Sequence, residues 1–382
     1  MYDIGGICEN IRFYRKKIGF SQTELGDRLG LSFQAISSWE RGETLPDIDN
    51  LCRLAMVLGV TVDTLLKRNI LHDETVMLGI DGGNTKTDFV LFTSSGRVLT
   101  AFSLAGSSAH NYGLNSAIEV FRSGIDRCLN EYGNIKGIFI GTAGGSQNEI
   151  ANVLSKYYSS IRFKVVSDGV NALSCAEGDA ALICSSGSLL IAKSENGYRL
   201  FGGWGHRMGD AGSAYSIARE AIRNALAVED GLVEQTMLYS ILLEKLGMRK
   251  VHGELADVPY AAIARHASVV FTAFLLGDPI AKRILENEMK ALADMLNKAC
   301  TIVGNRVIVC GGVMRAQHDI LLPMLKEYIH RDICFVLPEL PPVYGACLEC
   351  CRFMEIEPSD NFFENFAEDY RRQVILLDKS DQ

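Results

Sequence analysis

Residues 202–215 read GGWGHRMGDAGSAY and combine a glycine-rich backbone with one indole and one carboxylate. Because glycine has no side chain, a segment this rich in glycine lets its backbone approach a neighbouring group closely. A core segment would not contain so many glycines, because glycine has no side chain to pack in the core. The sequence therefore predicts that this backbone passes close to a ligand that Trp204 and Asp210 also contact. The alternative for Trp204 is an ordinary core position.

A second glycine-rich segment, DGGNTKTD at residues 81–88, lies between two apolar runs that predict strands, 75–80 and 89–92. A strand, a glycine-rich turn and a returning strand expose backbone N–H groups and hydroxyls to a phosphate. The segment is not a Walker loop, because it lacks the GK[ST] ending and the helix that follows it.

Asp168 follows a predicted strand, 162–166, and precedes small residues that start a helix. A carboxylate in this position can face a substrate hydroxyl. An alcohol is too weak an acid to attack phosphorus without partial removal of its proton, so phosphoryl transfer to a hydroxyl would need such a base. We predict that Asp168 is this base, with a helix N-cap as the alternative role.

Three more glycine or serine turns follow predicted strands: residues 141–146 (GTAGGS), 185–188 (SSGS) and 311–312 (GG). All of these turns must be positioned by sheets, since each begins where an apolar run ends. The pattern predicts that this part of the chain is α/β.

The first seventy residues differ in character, with apolar positions at helical spacing and helix caps between them. Ser21, with Glu24 at the capping-box position, opens a predicted second helix. Ser32 opens the third, and Gly42 ends it. Five short helices are predicted in all.

This N-terminal pattern, with SQTELGDRLGLSFQAISSWERG at its centre, resembles the XRE (Cro/lambda-repressor) helix-turn-helix family. The resemblance implies that the helix from Ser32 to Glu40 enters the major groove of DNA, and that Arg15 and Glu40 form a structural ion pair. Gln34 can bond adenine, Phe33 can pack on a thymine methyl, and Gln22 can hold a phosphate. The predicted DNA-binding residues are Gln22, Ser32, Phe33, Gln34, Ser37 and Ser38. A protein-interaction module is the alternative, because nine basic and nine acidic side chains leave residues 1–69 neutral.

The glycine-rich loops, in their order along the chain, resemble those of N-acetylglucosamine kinases in the BadF/BadG branch of the actin/Hsp70/sugar-kinase ATPases. The resemblance implies that ATP and Mg²⁺ bind, with Asp81 as a second catalytic residue that holds Mg²⁺ through water. The implied ATP and phosphate contacts are Gly82, Gly83, Asn84, Thr85, Lys86, Ser186, Gly187, Ser188, Gly311 and Gly312. The implied sugar contacts are Ser108, Gly145, Asp168, Gly203, Trp204 and Asp210.

Three positions depart from the pattern of that family. Ser185 and Leu189 replace a glycine and an asparagine of the second phosphate loop. Ser108 stands where the kinases have an asparagine, so either His110 and Asn111 substitute for it or the preferred sugar differs.

The predicted fold is an all-α five-helix DNA-binding domain followed by an α/β, two-lobed, actin-like (ribonuclease H-like) ATPase fold. The predicted boundaries are residues 1–68 for the DNA-binding domain, 69–76 for a linker, 77–180 for lobe I, 181–355 for lobe II and 356–382 for a C-terminal tail.

Composition bears on the expected cellular location of the protein. The 382 residues are 48% hydrophobic and 22% charged, with a net charge of −8. No apolar run is long enough for a membrane span, and the first residues lack the pattern of a signal peptide. We expect a cytoplasmic protein that does not enter a membrane. Most of the eleven cysteines sit in apolar segments and are expected to be reduced.

The leading hypothesis is a DNA-binding transcriptional regulator with an amino-sugar kinase as effector domain. Its expected partners are a palindromic double-stranded DNA operator, an amino sugar such as N-acetylglucosamine, and a second copy of the chain. One alternative is a sensor that binds sugar and nucleotide without turnover. The other is an activator of radical dehydratases, which would use the CxxCC cluster at 347–351 for an iron–sulfur cluster; the loop at 202–215 is missing from those proteins.

Overall fold

The computed structural model describes residues 4–66, 74–195, 197–247 and 260–380. The chain forms two compact units, Met1–Thr75 and Val76–Gln382. Most of the predicted linker lies outside the described residues, and the first strand of the second unit begins at Val76.

The first unit is all-α, as predicted. Its helices are α1 (Ile4–Ile18), α2 (Gln22–Leu29), α3 (Phe33–Arg41), α4 (Ile48–Leu58) and α5 (Val62–Leu66). The predicted caps are confirmed, because Ser21 and Glu24 form a capping box, Ser32 caps α3, and Gly42 ends it in the left-handed conformation. The apolar faces meet in one core, in which Ile11, Leu25, Ile36 and Leu54 are fully buried.

The second unit contains two five-stranded sheets of the same layout. The first has the order β3-β2-β1-β4-β5 and the second β10-β9-β6-β7-β8. The first-sheet strands are β1 (Val76–Gly82), β2 (Lys86–Thr93), β3 (Val98–Ala105), β4 (Gly137–Thr142) and β5 (Arg162–Ser167). The second-sheet strands are β6 (Ala180–Cys184), β7 (Ser188–Ser194), β8 (Gly197–Gly202), β9 (Arg306–Cys310) and β10 (Cys334–Val336). In each sheet three antiparallel strands are continued by two parallel ones.

Twelve further helices among the described residues cover these sheets. They are α6 (Ala109–Tyr112), α7 (Leu114–Tyr132), α8 (Gln147–Tyr157), α9 (Asp168–Ser174), α10 (Ala214–Glu229), α11 (Met237–Leu246), α12 (Tyr260–Ala264), α13 (Ala267–Leu275), α14 (Pro279–Val303), α15 (Gly312–Glu327), α16 (Pro342–Phe353) and α17 (Phe362–Ser380). Side chains of α9 and α16 share one core with strands of both sheets, so these two helices lie at the junction of the lobes.

The C-terminal region corrects the predicted boundaries. Residues 342–353 were expected in lobe II and residues 356–382 in a tail, but α16 packs against β1 and β4, and α17 packs against β3. Phe362 and Phe366 are buried, and Arg97 beside β3 pairs with Asp369 at 2.7 Å. The chain therefore returns to the first sheet, because the apolar faces of these helices complete its core.

No single helix among the described residues is long and apolar enough to cross a membrane. One bent pair, Tyr260–Leu275 and Pro279–Cys300, meets the criteria of length and composition together.

Candidate functional site

The predicted loops all follow strands of the two sheets. Asp81 lies near the end of β1, Asp168 follows β5, residues 185–187 follow β6, and Gly311 follows β9. In α/β sheets, ligands bind outside the carboxyl ends of the parallel strands. The topology therefore gathers residues that are far apart in sequence at the ends of the two sheets.

Asp81 is held by a side chain from the junction helix α9. The Asn171 amide donates hydrogen bonds to Asp81 Oδ1 at 2.7 Å and to the Ile80 carbonyl at 3.2 Å. Gly141 faces Asp81 in the neighbouring strand β4, and a Cβ on Gly141 would lie 2.2 Å from the Asn171 amide nitrogen. Glycine is needed at position 141 because the amide occupies that space.

Asp81 and Asp168 form an electrostatically linked pair. The pKa of Asp81 is raised to about 7, chiefly by burial and in part by the nearby Asp168, against the hydrogen bond from Asn171. Burial also raises the pKa of Asp168 to about 6, against hydrogen bonds from Ser167 and the backbone N–H of Gly169. The N-cap of α9 is Ser167, so the capping role considered for Asp168 belongs to its neighbour.

The turn between β1 and β2 has a defined internal structure. The backbone N–H of Gly83 donates to the Lys86 carbonyl at 3.0 Å, and Thr85 is exposed. Asn84 is fixed by Asn111, which donates to its side-chain oxygen at 2.9 Å. Lys86 pairs with Asp88 at 2.7 Å, and its side chain is 62% exposed. Gly82 has a packing role, since a Cβ there would lie 2.6 Å from Ser107 Oγ.

The turn between β6 and β7 lies against the first turn. A Cβ placed on Gly187 would be 3.0 Å from Asp210 Oδ2, 3.3 Å from the Tyr260 hydroxyl and 3.4 Å from Asn84 Nδ2. Ser188 donates to the Ala211 carbonyl at 2.7 Å. The structure thus brings together four predicted residues of both phosphate turns and the 202–215 segment: Asn84, Gly187, Ser188 and Asp210.

Trp204 is 77% exposed, which excludes the core position considered for it. Asp210 is buried and has a left-handed backbone (φ +64°), a conformation that is uncommon for residues other than glycine. Burial raises the pKa of Asp210, against backbone hydrogen bonds from Gly205 and Ser188. Gly203 also has positive φ, and a Cβ there would lie 2.8 Å from Leu189.

Glu288 of α14 supports the 202–215 segment and was missed in the sequence. It accepts hydrogen bonds from the Gly212 N–H at 2.5 Å and from Ser216 Oγ at 2.7 Å. Helical spacing could have indicated that Glu288 is buried, because it falls on the same face of α14 as the buried Leu285 and Leu292.

Ser108 lies opposite the turn after β4. Its hydroxyl is buried and would be 2.4 Å from a Cβ on Gly144, whereas Gly145 has free space around it. His110 Nε2 would lie 3.3 Å from a Cβ on Gly205. His110 of the first lobe therefore reaches the 202–215 segment of the second.

An aromatic cluster beside Asp210 was also missed. The His206 ring lies 4.7 Å from the ring of Tyr260 and 5.0 Å from that of Tyr215, and the two tyrosine rings stack at 4.8 Å. Tyr260 reaches the site through a contact with residues distant in sequence. The residues next to Tyr260 in the sequence do not indicate this contact.

Gly311 and Gly312 differ in their surroundings. Gly311 has φ +94°, and a Cβ there would lie 2.2 Å from the Cys184 carbonyl oxygen, so this glycine packs on the strand that leads into residues 185–188. Gly312, the first residue of α15, has nothing within 4 Å of its Cβ position.

Several buried polar atoms around these loops lack hydrogen bonds to described residues: Ser108 Oγ, Asn171 Oδ1, Ser186 Oγ and Tyr260 OH. Ser186 is close enough to Tyr260 to oppose the rise in its pKa that burial causes, but the two hydroxyls do not meet in hydrogen-bonding geometry. Buried polar groups without partners are costly and rare. Their concentration around these loops is the pattern expected of a polar ligand site.

The predicted DNA-binding residues of the first unit divide into two sets. Phe33, Gln34 and Ser32 are exposed on the N-terminal part of α3, although Ser32 Oγ caps the helix. Ser37 was predicted to be exposed and is not, because Arg41 one turn later covers it and donates to its hydroxyl. Ser38 is half-buried and bonds Thr44 at 2.8 Å.

Gln22, the predicted phosphate contact, is engaged within the protein. It donates to Glu40 at 2.7 Å. Glu40 also accepts two bonds from Arg15, at 2.5 and 2.9 Å, which confirms the predicted ion pair. Only the remaining N–H of the Gln22 amide is left to reach DNA.

The CxxCC cluster is part of the core. Cys347, Cys350 and Cys351 are fully buried on α16, and a Cβ on Gly79 of β1 would lie 2.5 Å from Cys347 Sγ. Burial raises the pKa of all three thiols. Their surroundings are those of apolar packing residues.

Comparison with known proteins assigns both units. Residues 78–350 match the BadF/BadG/BcrA/BcrD ATPase family, and residues 11–65 match a helix-turn-helix family. An N-acetylmuramic acid/N-acetylglucosamine kinase of Clostridium acetobutylicum is 30% identical over 236 residues, 56% of this chain and 76% of that protein. Repressor protein C2 of Salmonella phage P22 is 45% identical over 62 residues, 16% of this chain and 29% of the repressor.

A solved structure agrees with the fold. A candidate N-acetylglucosamine kinase from Chromobacterium violaceum superimposes with a TM-score of 0.60 at 23% identity, covering 72% of this chain and 98% of the other. The predicted fold class, a helical domain followed by a two-lobed α/β ATPase fold, is confirmed.

Proposed function

Because the chain belongs to the BadF/BadG/BcrA/BcrD ATPase family and carries an N-terminal helix-turn-helix domain, we propose that it is a transcriptional regulator whose second unit is an ATP-dependent amino-sugar kinase. The observation that carries the proposal is the meeting of Asn84, Gly187, Asp210 and Tyr260 at one point between the lobes. This point joins both phosphate turns to the segment proposed for sugar binding.

In the first unit, α3 is the proposed DNA-reading helix. Gln34 and the 47%-exposed Phe33 lie on its open N-terminal turn, where base contacts are made in helix-turn-helix proteins. The interlocked Arg15, Gln22 and Glu40 fix α1, α2 and α3 relative to one another. A rigid arrangement of this kind keeps the reading helix in register with the base pairs.

In the second unit, Asp168 is the proposed base. Its raised pKa lies close to neutral pH, so the carboxylate can accept a proton from a sugar hydroxyl and remain largely ionised beforehand. Asp210 and Trp204 are the proposed sugar contacts: Asp210 accepts hydrogen bonds from hydroxyls, and the exposed indole covers an apolar face of the ring.

ATP and Mg²⁺ fit the donor groups at the site. The Ser186 hydroxyl and the Asn171 carbonyl oxygen lack partners among the described residues, and the Asn171 amide donates to Oδ1 of Asp81. We propose that Asp81 holds Mg²⁺ through water, as suits an ion that keeps much of its hydration shell. The ion would supply neutralisation of phosphate charge, while Thr85, Lys86 and Ser186 would orient the phosphates.

The experiment is ADP formation by the full chain with Mg-ATP across a panel of amino sugars. We expect turnover with N-acetylglucosamine or N-acetylmuramic acid, and a loss of about 10²-fold or more in Asp168→Asn, the range of general-base contributions. Asp294→Asn is the matched control, since Asp294 is an exposed aspartate on α14. Turnover that persists in Asp168→Asn would reject Asp168 as the base.

A sensor without turnover is the second candidate, and the serine at position 185 favours it. Ser185 is fixed through its backbone, since its N–H donates to the Gly187 carbonyl and its carbonyl accepts from the Ala214 N–H, both at 2.8 Å. Its side chain adds bulk beside the second phosphate turn. Sugar binding without ADP formation for any sugar would favour this candidate over the kinase.

A further inference from the structure

A cavity of about 600 Å³ lies behind the sugar-binding segment, between α10 and α14. It falls in the range of roughly 300–1,000 Å³ that small-molecule sites occupy. Gly209 and Ala211 form part of its wall, so the cavity shares backbone with the segment that carries Trp204 and Asp210.

The polar lining of this cavity is rich in guanidinium groups. Arg219, Arg223 and Arg283 line it, together with two carboxylates, Glu220 and Glu288. With every group ionised, three positive charges face two negative ones. Burial raises the pKa of Glu288, against hydrogen bonds from the Gly212 N–H and the Ser216 hydroxyl.

Both carboxylates are already engaged. Glu220 accepts from Arg219 at 3.2 Å and from Arg223 at 3.3 Å, and the two oxygens of Glu288 bond Gly212 and Ser216. Arg283 makes no hydrogen bond or ion pair with any residue that the structure describes, and Arg223 uses one of its five donors. The cavity therefore presents unused guanidinium donors from two facing helices.

Planar guanidinium groups with free donors match the oxygens of a phosphate. We propose that this cavity is a second ligand site, which takes a small phosphorylated anion. A sugar phosphate and inorganic phosphate share the required chemistry. The choice of a sugar phosphate as one occupant rests on the proposed function, because a sugar kinase would generate it.

Two contacts couple the cavity to the sugar-binding segment. Arg219 donates to the His206 carbonyl at 3.4 Å, and Glu288 holds the Gly212 N–H. A ligand that binds Arg219 or shifts α14 would alter these two hydrogen bonds. The segment that carries Trp204 and Asp210 would then change its position. Binding at the two sites is then linked, and each ligand changes the affinity of the other by the same factor.

Calorimetric titration of the full chain tests this site, with inorganic phosphate, N-acetylglucosamine 6-phosphate and unphosphorylated N-acetylglucosamine as the three probes. In the double variant Arg223→Gln/Arg283→Gln we expect the affinity for the phosphorylated probe to fall about tenfold or more, with N-acetylglucosamine binding retained. Both arginines are exposed, so their replacement leaves the core intact. Lys290→Gln, an exposed position on α14 outside the cavity, is the matched control.

The outcomes separate the two proposals. Phosphorylated probes that bind the double variant as tightly as the unchanged protein, or that bind neither, would overturn the second site. Tighter binding of the sugar phosphate than of phosphate would identify the sugar phosphate as the occupant, and equal affinities would assign the site to the phosphate group. If N-acetylglucosamine itself failed to bind, the proposed function would be contradicted. The conclusion about the phosphate site would not be affected.

Tryptophan emission gives an independent readout of the coupling. The chain has two tryptophans, of which Trp39 is buried in the first unit and Trp204 is exposed. We expect the phosphorylated probe to change Trp204 emission in the unchanged protein and in Lys290→Gln. An equal change in the double variant would contradict the proposed site.

Discussion

Asp81 and Asp168 show how burial sets the chemistry of single residues. Both carboxyls have raised pKa values, about 7 and about 6, because burial penalises their charge. The nearby Asp168 also raises the pKa of Asp81, but burial is the largest cause. The backbone N–H of Gly169 and the Asn171 amide keep part of the charged form available.

These pKa values predict the pH dependence of turnover. A base must be ionised to accept a proton, so kcat/KM is expected to rise between about pH 5 and pH 7, as Asp168 with its pKa of about 6 loses its proton, and then to level off. The measurement is kcat/KM for ADP formation at fixed ionic strength, with Asp294→Asn as a control that keeps the same profile. A flat profile, or one that falls over this range, would contradict the role of Asp168.

The same residues show what the sequence could reveal. Asp81 and Asp210 could be identified because each stands in a glycine-rich segment, and Asp168 because it follows an apolar strand and precedes small residues that start a helix. Tyr260 could not, since it reaches the site from a helix distant in sequence, and for Glu288 the sequence offered only its helical spacing with buried leucines. Ser37 was placed on the wrong side because the covering contact from Arg41 depends on a side-chain conformation that spacing does not encode.

At the scale of elements, α9 and α16 position the site by close packing. A Cβ on Gly345 of α16 would lie 1.9 Å from the Asn171 carbonyl oxygen. Because Gly345 has no side chain, α16 packs closely against α9. Helix α9 follows β5 directly and carries Asn171. Asn171 in turn holds Asp81, so the spacing of these two helices sets the position of the carboxylate.

Gly345→Ala is therefore expected to destabilise the second unit by about 1–3 kcal/mol, the usual cost of overpacking a close contact. Gly312→Ala is the matched control, because its Cβ position is open and its φ is not positive. Urea unfolding of both variants measures the difference. Equal unfolding midpoints for the two variants would refute this account of the α9–α16 contact.

Some helices could be predicted from residues close in sequence, and others depend on packing between distant residues. The helices of the first unit could be bounded from sequence, because Ser21, Ser32 and Gly42 are caps whose effect is confined to a few residues. The return of α16 and α17 to the first sheet could not, because it depends on which apolar faces remain uncovered once both sheets have formed.

At the scale of the whole molecule, the chain joins a DNA-binding unit to an effector unit. A ligand influences DNA binding only if it binds the two functional states with different affinity. Linkage then works in both directions, so sugar changes the affinity for DNA by the same factor by which DNA changes the affinity for sugar. This reciprocity holds whether or not the sugar is phosphorylated.

The most direct test of the account is the dissociation constant for DNA with and without saturating N-acetylglucosamine. The DNA would be an operator selected by the full chain from a random library, and fluorescence anisotropy without ATP would report binding. We expect sugar to change the constant by about 5-fold or more, in the range of known allosteric couplings, and Asp210→Asn to lose the response. Identical constants with and without sugar, in a protein that binds both ligands, would contradict the claim that this chain is a sugar-responsive regulator.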